Sequence, residues 1–301
     1  ATLDADGTFD ATGGTIDING EGNLLLAGAT PLLGTNLSTD FGKVTYDGTA
    51  QTIFADTYYS LTAGGGTSTK TFAGTVTVAG DLTIDADVTI AMDSYDLTVT
   101  GAANIVGTLT VAANTLTLNG ASDVDGTITV STGTVDANGT FDATGGTITF
   151  SDAGNLTLAS TVTDLGTLSG NGTVTYDGTA QALFSDTYYN LTAGGGAGIK
   201  TLGGDVTVDN DLVIDVDVTV DVSDNDYAVN IGRNLTNAGT FTSRDGTVTF
   251  SGSDDQELTS GGSSFHNIIF NNAGGNVKVL VISGNLVIDN DLTLTTGTLD
   301  L

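Results

Sequence analysis

Residues 107–111 read GTLTV, residues 126–130 read GTITV and residues 146–150 read GTITF, with a weaker copy, GTLSG, at 166–170. In each copy one apolar residue stands between two hydroxyl residues. A period of two is the signature of a strand with one face buried, so Leu109, Ile128 and Ile148 point inward and the flanking threonines outward. The same alternation gives Leu116 in NTLTL at 114–118. Gly107, Gly126, Gly146 and Gly166 are spaced 19, 20 and 20 residues apart. Further Gly-Thr turns, at Gly133 and Gly139 between them and at Gly172 just beyond, mark short strands every six to eight residues.

A near-constant beat of this length describes a chain that winds. The expected fold is all-β: a right-handed parallel β-helix, or β-solenoid, of about 20–24 residues per coil, in which equivalent strands stack in parallel. About 13–15 such coils at about 4.8 Å each make a rod of about 60–70 Å. The rival is a tandem β-sandwich array, which also alternates but calls for longer strands and units near 90–100 residues.

A longer repeat lies over the short one. LDADGTFDATGGTI at 3–16 returns as VDANGTFDATGGTI at 135–148, and VTYDGTAQTIFADTYYSLTAGGG from Val44 returns from Val174 as VTYDGTAQALFSDTYYNLTAGGG. The offsets are 132 and 130 residues. A shortened copy begins with VTFSGSDDQELTSGGSSFHNII at Val248, where Phe265 and His266 take the places of the Tyr58–Tyr59 and Tyr188–Tyr189 pairs. Residues 1–301 thus read as one continuous solenoid with internal units of 3–134, 135–244 and 245–301. Residues 54–58 and 184–188 are expected to bulge from one coil per unit.

Composition agrees. The chain has 43 Gly and one Pro, no Cys, and a formal charge of −30 from 36 acidic against six basic residues. Nearly all the acids are Asp; Glu21 and Glu257 are the exceptions. Gly and Asp are turn formers, and Thr, Val and Ile are strand residues. A chain this acidic is not built to grip nucleic acid or anionic lipid, and it has no apolar run of membrane-spanning length. Cysteine chemistry is absent by composition.

The pattern GTVTYDG…Q…YYNLT…GG…GDLTID…DVT resembles the tandem β-strand repeats of large bacterial surface proteins, of the filamentous-haemagglutinin-like and autotransporter-like adhesin class. The resemblance spans nearly the whole chain and carries no catalytic signature. It implies an extracellular or cell-surface localisation and a structural or adhesive role as stalk or fibre, with further copies of the same repeats as partner. The segment is expected to continue into more repeats or to dock end to end.

Candidate sites are few. Asp85 with Asp87, Asp215 with Asp217, and Asp289 with Asp291 form Asp-x-Asp motifs near the ends of the units. Short carboxylates held in a turn suit Ca²⁺, although the same residues also simply build solvated corners. No cofactor is otherwise required. The threonine pairs 108/110, 127/129 and 147/149 form a ladder that locally resembles the ice-binding face of some insect antifreeze solenoids, while Thr is also an ordinary outward strand residue. The tyrosine pairs are candidate platforms for cell-surface glycans, against the reading that one ring fills the core and the other faces out.

An enzyme is not expected. Polysaccharide-degrading β-helices are the nearest catalytic alternative, but Arg233 and Arg244 are the only arginines, and His266, the only histidine, has no partner acid or Ser motif adjacent in sequence. Asn36, Asn138, Asn155, Asn171, Asn190 and Asn234 stand in Asn-x-Ser/Thr sequences. These are acceptors for glycans only where the source organism attaches them.

Overall fold

The computed structural model describes residues 1–34, 37, 41–272 and 279–300. Among them there is no helix; short strands make about fourteen turns of parallel β-solenoid, divided between two compact units. One unit comprises Ala1–Leu156 with Thr163–Gly170, the other Thr157–Val162 with Asn171–Leu301.

In the first unit a coil consists of three strands separated by corners. Leu82–Ile84, Val88–Ala91 and Leu97–Val99 make one coil, and Ala103–Ile105, Thr108–Val111 and Thr115–Leu118 the next. Each strand pairs in parallel with its counterpart one coil on, as in Thr89↔Thr108, Thr108↔Thr127, Thr127↔Thr147 and Thr147↔Thr167. All the ladders among the described residues run parallel, which excludes the β-sandwich array, since sandwich sheets are antiparallel.

Leu109, Leu116, Ile128 and Ile148 are wholly buried, as the alternation requires, while the threonines beside them remain partly exposed. In-register stacking makes each inward position a column of like side chains. Burying one such Leu or Ile contributes about 1.5–3 kcal/mol, so a narrow core of repeated columns suffices to hold the coils.

The corners set the beat. Gly80, Gly101, Gly120 and Gly139 lie over one another at one corner of this unit. A Cβ on Gly120 would come within 2.1 Å of the Gly101 carbonyl oxygen, and one on Gly139 within 2.0 Å of that of Gly120. Backbone packs directly on backbone there, and no side chain fits.

The second unit follows the same plan. Val206–Val208, Val229–Ile231, Thr247–Phe250, Ser264–Asn271 and Val287–Thr296 stack in one sheet. Asn190–Ala193, Leu212–Ile214, Leu235–Asn237 and Gln256–Thr259 stack in another.

Candidate functional site

Two polar clusters inside the core anchor the corners that lie outside it. Tyr46 and Tyr58 are wholly buried, their rings edge to face at 6.3 Å between centroids. The Phe54 N–H donates to the Tyr46 hydroxyl (3.0 Å), the Tyr58 hydroxyl donates to the Phe54 carbonyl (2.7 Å), and the two hydroxyls are 2.8 Å apart. Since Tyr58 gives its proton to the carbonyl, Tyr46 donates to Tyr58. Tyr176, Tyr188 and Phe184 repeat the arrangement in the second unit, with the hydroxyls 2.9 Å apart. Burial raises Tyr46 and Tyr176 to about 12 and pushes Tyr58 and Tyr188 up as well. Residues 54–58 and 184–188 are therefore tied down on their own tyrosines.

In the second cluster Gln51 accepts from the Gly48 N–H (2.8 Å) and donates to the carbonyls of Leu26 (2.5 Å) and Gly28 (2.9 Å). Lys70, one coil on and in register with Gln51, donates to Gln51 Oε1 (2.9 Å) and to the Gly48 carbonyl. Gln181 repeats these bonds to Gly178, Leu158 and Ser160, with Lys200 in register beside it. Both lysines are wholly out of solvent. Burial lowers their pKa values, and the carboxylates of Asp47 and Asp177 offset part of that. At the corresponding place in the shortened copy Gln256 donates to the Ile231 carbonyl (3.1 Å), and Asn272 supplies the donor to its Oε1 (3.2 Å). These groups are sealed from substrate, and they anchor corners.

The tyrosine pairs split between core and surface: Tyr58 and Tyr188 are core, and Tyr59 and Tyr189 are half-buried. Phe265 is likewise buried, and stacks on Phe241 at 5.2 Å. His266 differs from the sequence expectation. Its Nδ1 lies 3.6 Å from an Asp245 carboxylate oxygen, because parallel stacking brings forward an acid from the preceding coil that is remote in sequence. Arg244 donates to both carboxylate oxygens of Asp221 (2.6 and 2.8 Å), and Arg233 stands 3.8 Å from Asp211.

The Asp-x-Asp motifs divide too. Asp87 and Asp217 sit at φ 65° in turns closed by the Val88 and Val218 N–H groups donating to the Asp85 and Asp215 carbonyls, each 3.2 Å. The Asp85 and Asp215 carboxylates lie over Gly64 and Gly194, where a Cβ would come within 2.8 Å of them. Asp289 and Asp291, by contrast, belong to the strand Val287–Thr296, in which the register with Ser264–Asn271 shifts between Ile288 and Asp291 and Asp291 pairs with Asn267. Among the described residues no three acidic or histidine side chains gather closely enough to hold a metal ion.

The threonine ladder is longer than the repeats suggest. On the first unit's sheet from Ala50–Ile53 to Thr167–Gly170, one outward column runs Ala50, Thr69, Thr89, Thr108, Thr127, Thr147, Thr167. The second runs Thr52, Thr71, Ala91, Thr110, Thr129, Thr149, Ser169. Neither column contains a charge. On the corresponding sheet of the second unit Asp221 breaks the second column.

One opening combines exposed aromatic surface with polar groups. Gly20, Gly22 and Gly42 leave a groove of about 550 Å³ beside Phe41, Tyr59, Lys43, Glu21 and Asn23. Phe41 is 58% exposed, the most exposed aromatic ring among the described residues, and lies 5.4 Å from the Tyr59 ring at 51°. Sequence reasoning singled out Tyr59 and missed Phe41, whose place in the second copy is taken by Asn171. The signal was available as a break in the repeat.

Compared with known protein families, curated proteins and solved structures, the chain matches none.

Proposed function

We propose that this chain is a structural and adhesive repeat segment of an extracellular or cell-surface protein, a stacked scaffold that serves as stalk or fibre and associates end to end with more of its own kind. The observation that carries this reading is a pair of open core columns. Leu3 is 56% exposed although it is in register with buried Leu24. Leu292 and Leu294 are 40% and 50% exposed although they are in register with the fully buried Ile268 and Phe270. Apolar side chains in register with buried core positions, on outermost described strands, suit pairing with further strands of the same kind. Sedimentation across a concentration series tests the reading: self-association is expected, and Leu292→Asp with Leu294→Asp abolishes it. A monodisperse monomer at every concentration overturns it.

A second reading is favoured by the uncharged threonine face. In a chain of −30, two threonine columns without a single carboxylate present hydroxyls at about 4.8 Å along the stack and about 6.6 Å across it. Oxygen rows on the prism faces of ice repeat at similar intervals, so this face suits an ice surface. Thermal hysteresis that disappears in Thr127→Lys with Thr129→Lys supports it; absence of hysteresis in the natural chain rejects it.

A further inference from the structure

The groove beside Phe41 has a feature that neither stacking nor the threonine face uses. Of the six basic residues, Lys70 and Lys200 are buried and Arg233 and Arg244 face carboxylates, while Lys278 lies outside the described residues. Lys43 is exposed and, among the described residues, has no carboxylate within ion-pair distance. It lines the groove together with Glu21, Asn23 and Ser60, next to the most exposed ring of the chain. An exposed cation, a carboxylate, an amide and a hydroxyl around an aromatic corner are donors and acceptors of both signs beside one apolar surface.

We infer that this groove binds a neutral sugar residue of a polysaccharide or glycan. The apolar C–H face of a pyranose ring covers Phe41, with Tyr59 as the side wall. Its hydroxyls take up Lys43 and Asn23 as donors and Glu21 as acceptor. The groove's volume lies within the range that holds small ligands, which is about 300–1,000 Å³. Charge selects the neutral class. Among the described residues the groove is lined by one cation and one anion, and the chain's −30 repels a polyanion over the Debye length, about 8 Å at physiological salt. The site belongs to the first copy of the repeat only, since Asn171 and Thr173 stand where Phe41 and Lys43 do.

The test is calorimetric titration of the full chain with soluble oligomers of glucose, galactose, mannose and N-acetylglucosamine, with oligoglucuronate as the charged comparator. At least one neutral oligomer is expected to bind more tightly than oligoglucuronate. Phe41→Ala is expected to weaken that binding at least tenfold and Lys43→Gln several-fold. Tyr95→Ala, which removes an exposed ring elsewhere, leaves it unchanged. Should Phe41→Ala lose its native circular dichroism, Lys43→Gln decides alone. Failure of every neutral oligomer to bind, tighter binding of oligoglucuronate, or unaltered binding by the decisive variant overturns the inference. Self-association, read by sedimentation, is a separate outcome.

Discussion

The hydroxyl oxygens of Tyr46 and Tyr58 lie 2.8 Å apart, and their hydrogen bond closes a ring that begins and ends on the backbone of Phe54. The chain bends just beyond this residue, and its N–H and C=O are paired by the two tyrosines. The ring needs both tyrosines protonated, and the second unit repeats it with Tyr176, Tyr188 and Phe184.

Alkaline stability follows from that ring. The folded pKa of Tyr46 and Tyr176 is raised from the ordinary 10 to about 12 by burial. Below pH 10 these groups are neutral in both states and their contribution is fully present. Between pH 10 and about 12 the unfolded chain loses protons first, so stability falls as pH rises. Tyrosinate absorbance of the buried tyrosines is expected to rise together with loss of β circular dichroism.

Tyr58→Phe is expected to cost about 1–3 kcal/mol, because it leaves the Phe54 carbonyl without its donor and the Tyr46 hydroxyl without its acceptor. Tyr46→Phe with Tyr58→Phe is expected to cost less than the sum of the single changes, as members of one network do. Denaturant unfolding of the four proteins measures the coupling.

Gly120→Ala is expected to destabilise by about 1–3 kcal/mol, since its Cβ would overlap the Gly101 carbonyl. Gly7 has no atom within 4 Å of a would-be Cβ and no positive φ. Gly7→Ala is therefore expected to be neutral or to stabilise by up to about 1 kcal/mol. The pair of melting temperatures separates corner packing from the general effect of losing a glycine.

Lys200 is wholly buried, and among the described residues its Nζ has no hydrogen-bond partner. Lys200→Met together with Asp177→Asn removes the buried charge and the carboxylate that faces it and keeps the packing, so it is expected to raise stability at pH 7 by about 1 kcal/mol or more. The sign of the pH dependence follows from the lowered pKa. The unfolded chain holds the Lys200 proton up to its ordinary 10.5 while the folded chain releases it earlier, so stability climbs with pH in between. The methionine variant flattens that climb over the part of the window below the tyrosine transition.

The rungs were legible because the fold is a register. Gly107, Gly126 and Gly146 mark the same corner of successive coils, so their spacing in sequence is the length of one turn, and the threonines after them pair as Thr108, Thr127 and Thr147. The buried lysines were not legible. Lys70 and Gln51 sit in apolar slots of the alternation, and nothing in a single strand says that a long polar side chain is turned inward to a corner carbonyl. The return of Gln at 51, 181 and 256 was the available sign. At Asp289 and Asp291 the motif repeats but its local structure does not: a strand with a register shift stands where the earlier copies turn. His266 met its acid only through stacking.

Parallel in-register winding is the claim on which all else rests, and a chain without cysteine allows a direct measurement. Thr98 is in register with Thr77 on one side and Thr117 on the other. Neighbouring rungs are about 4.8 Å apart, within disulfide reach, and alternate rungs about twice that, beyond it. Thr77→Cys with Thr98→Cys, and Thr98→Cys with Thr117→Cys, are predicted to oxidise to intramolecular disulfides in the folded chain, and Thr77→Cys with Thr117→Cys is predicted to stay reduced. Failure of both neighbouring pairs to close, or closure of the alternate pair, would contradict the winding.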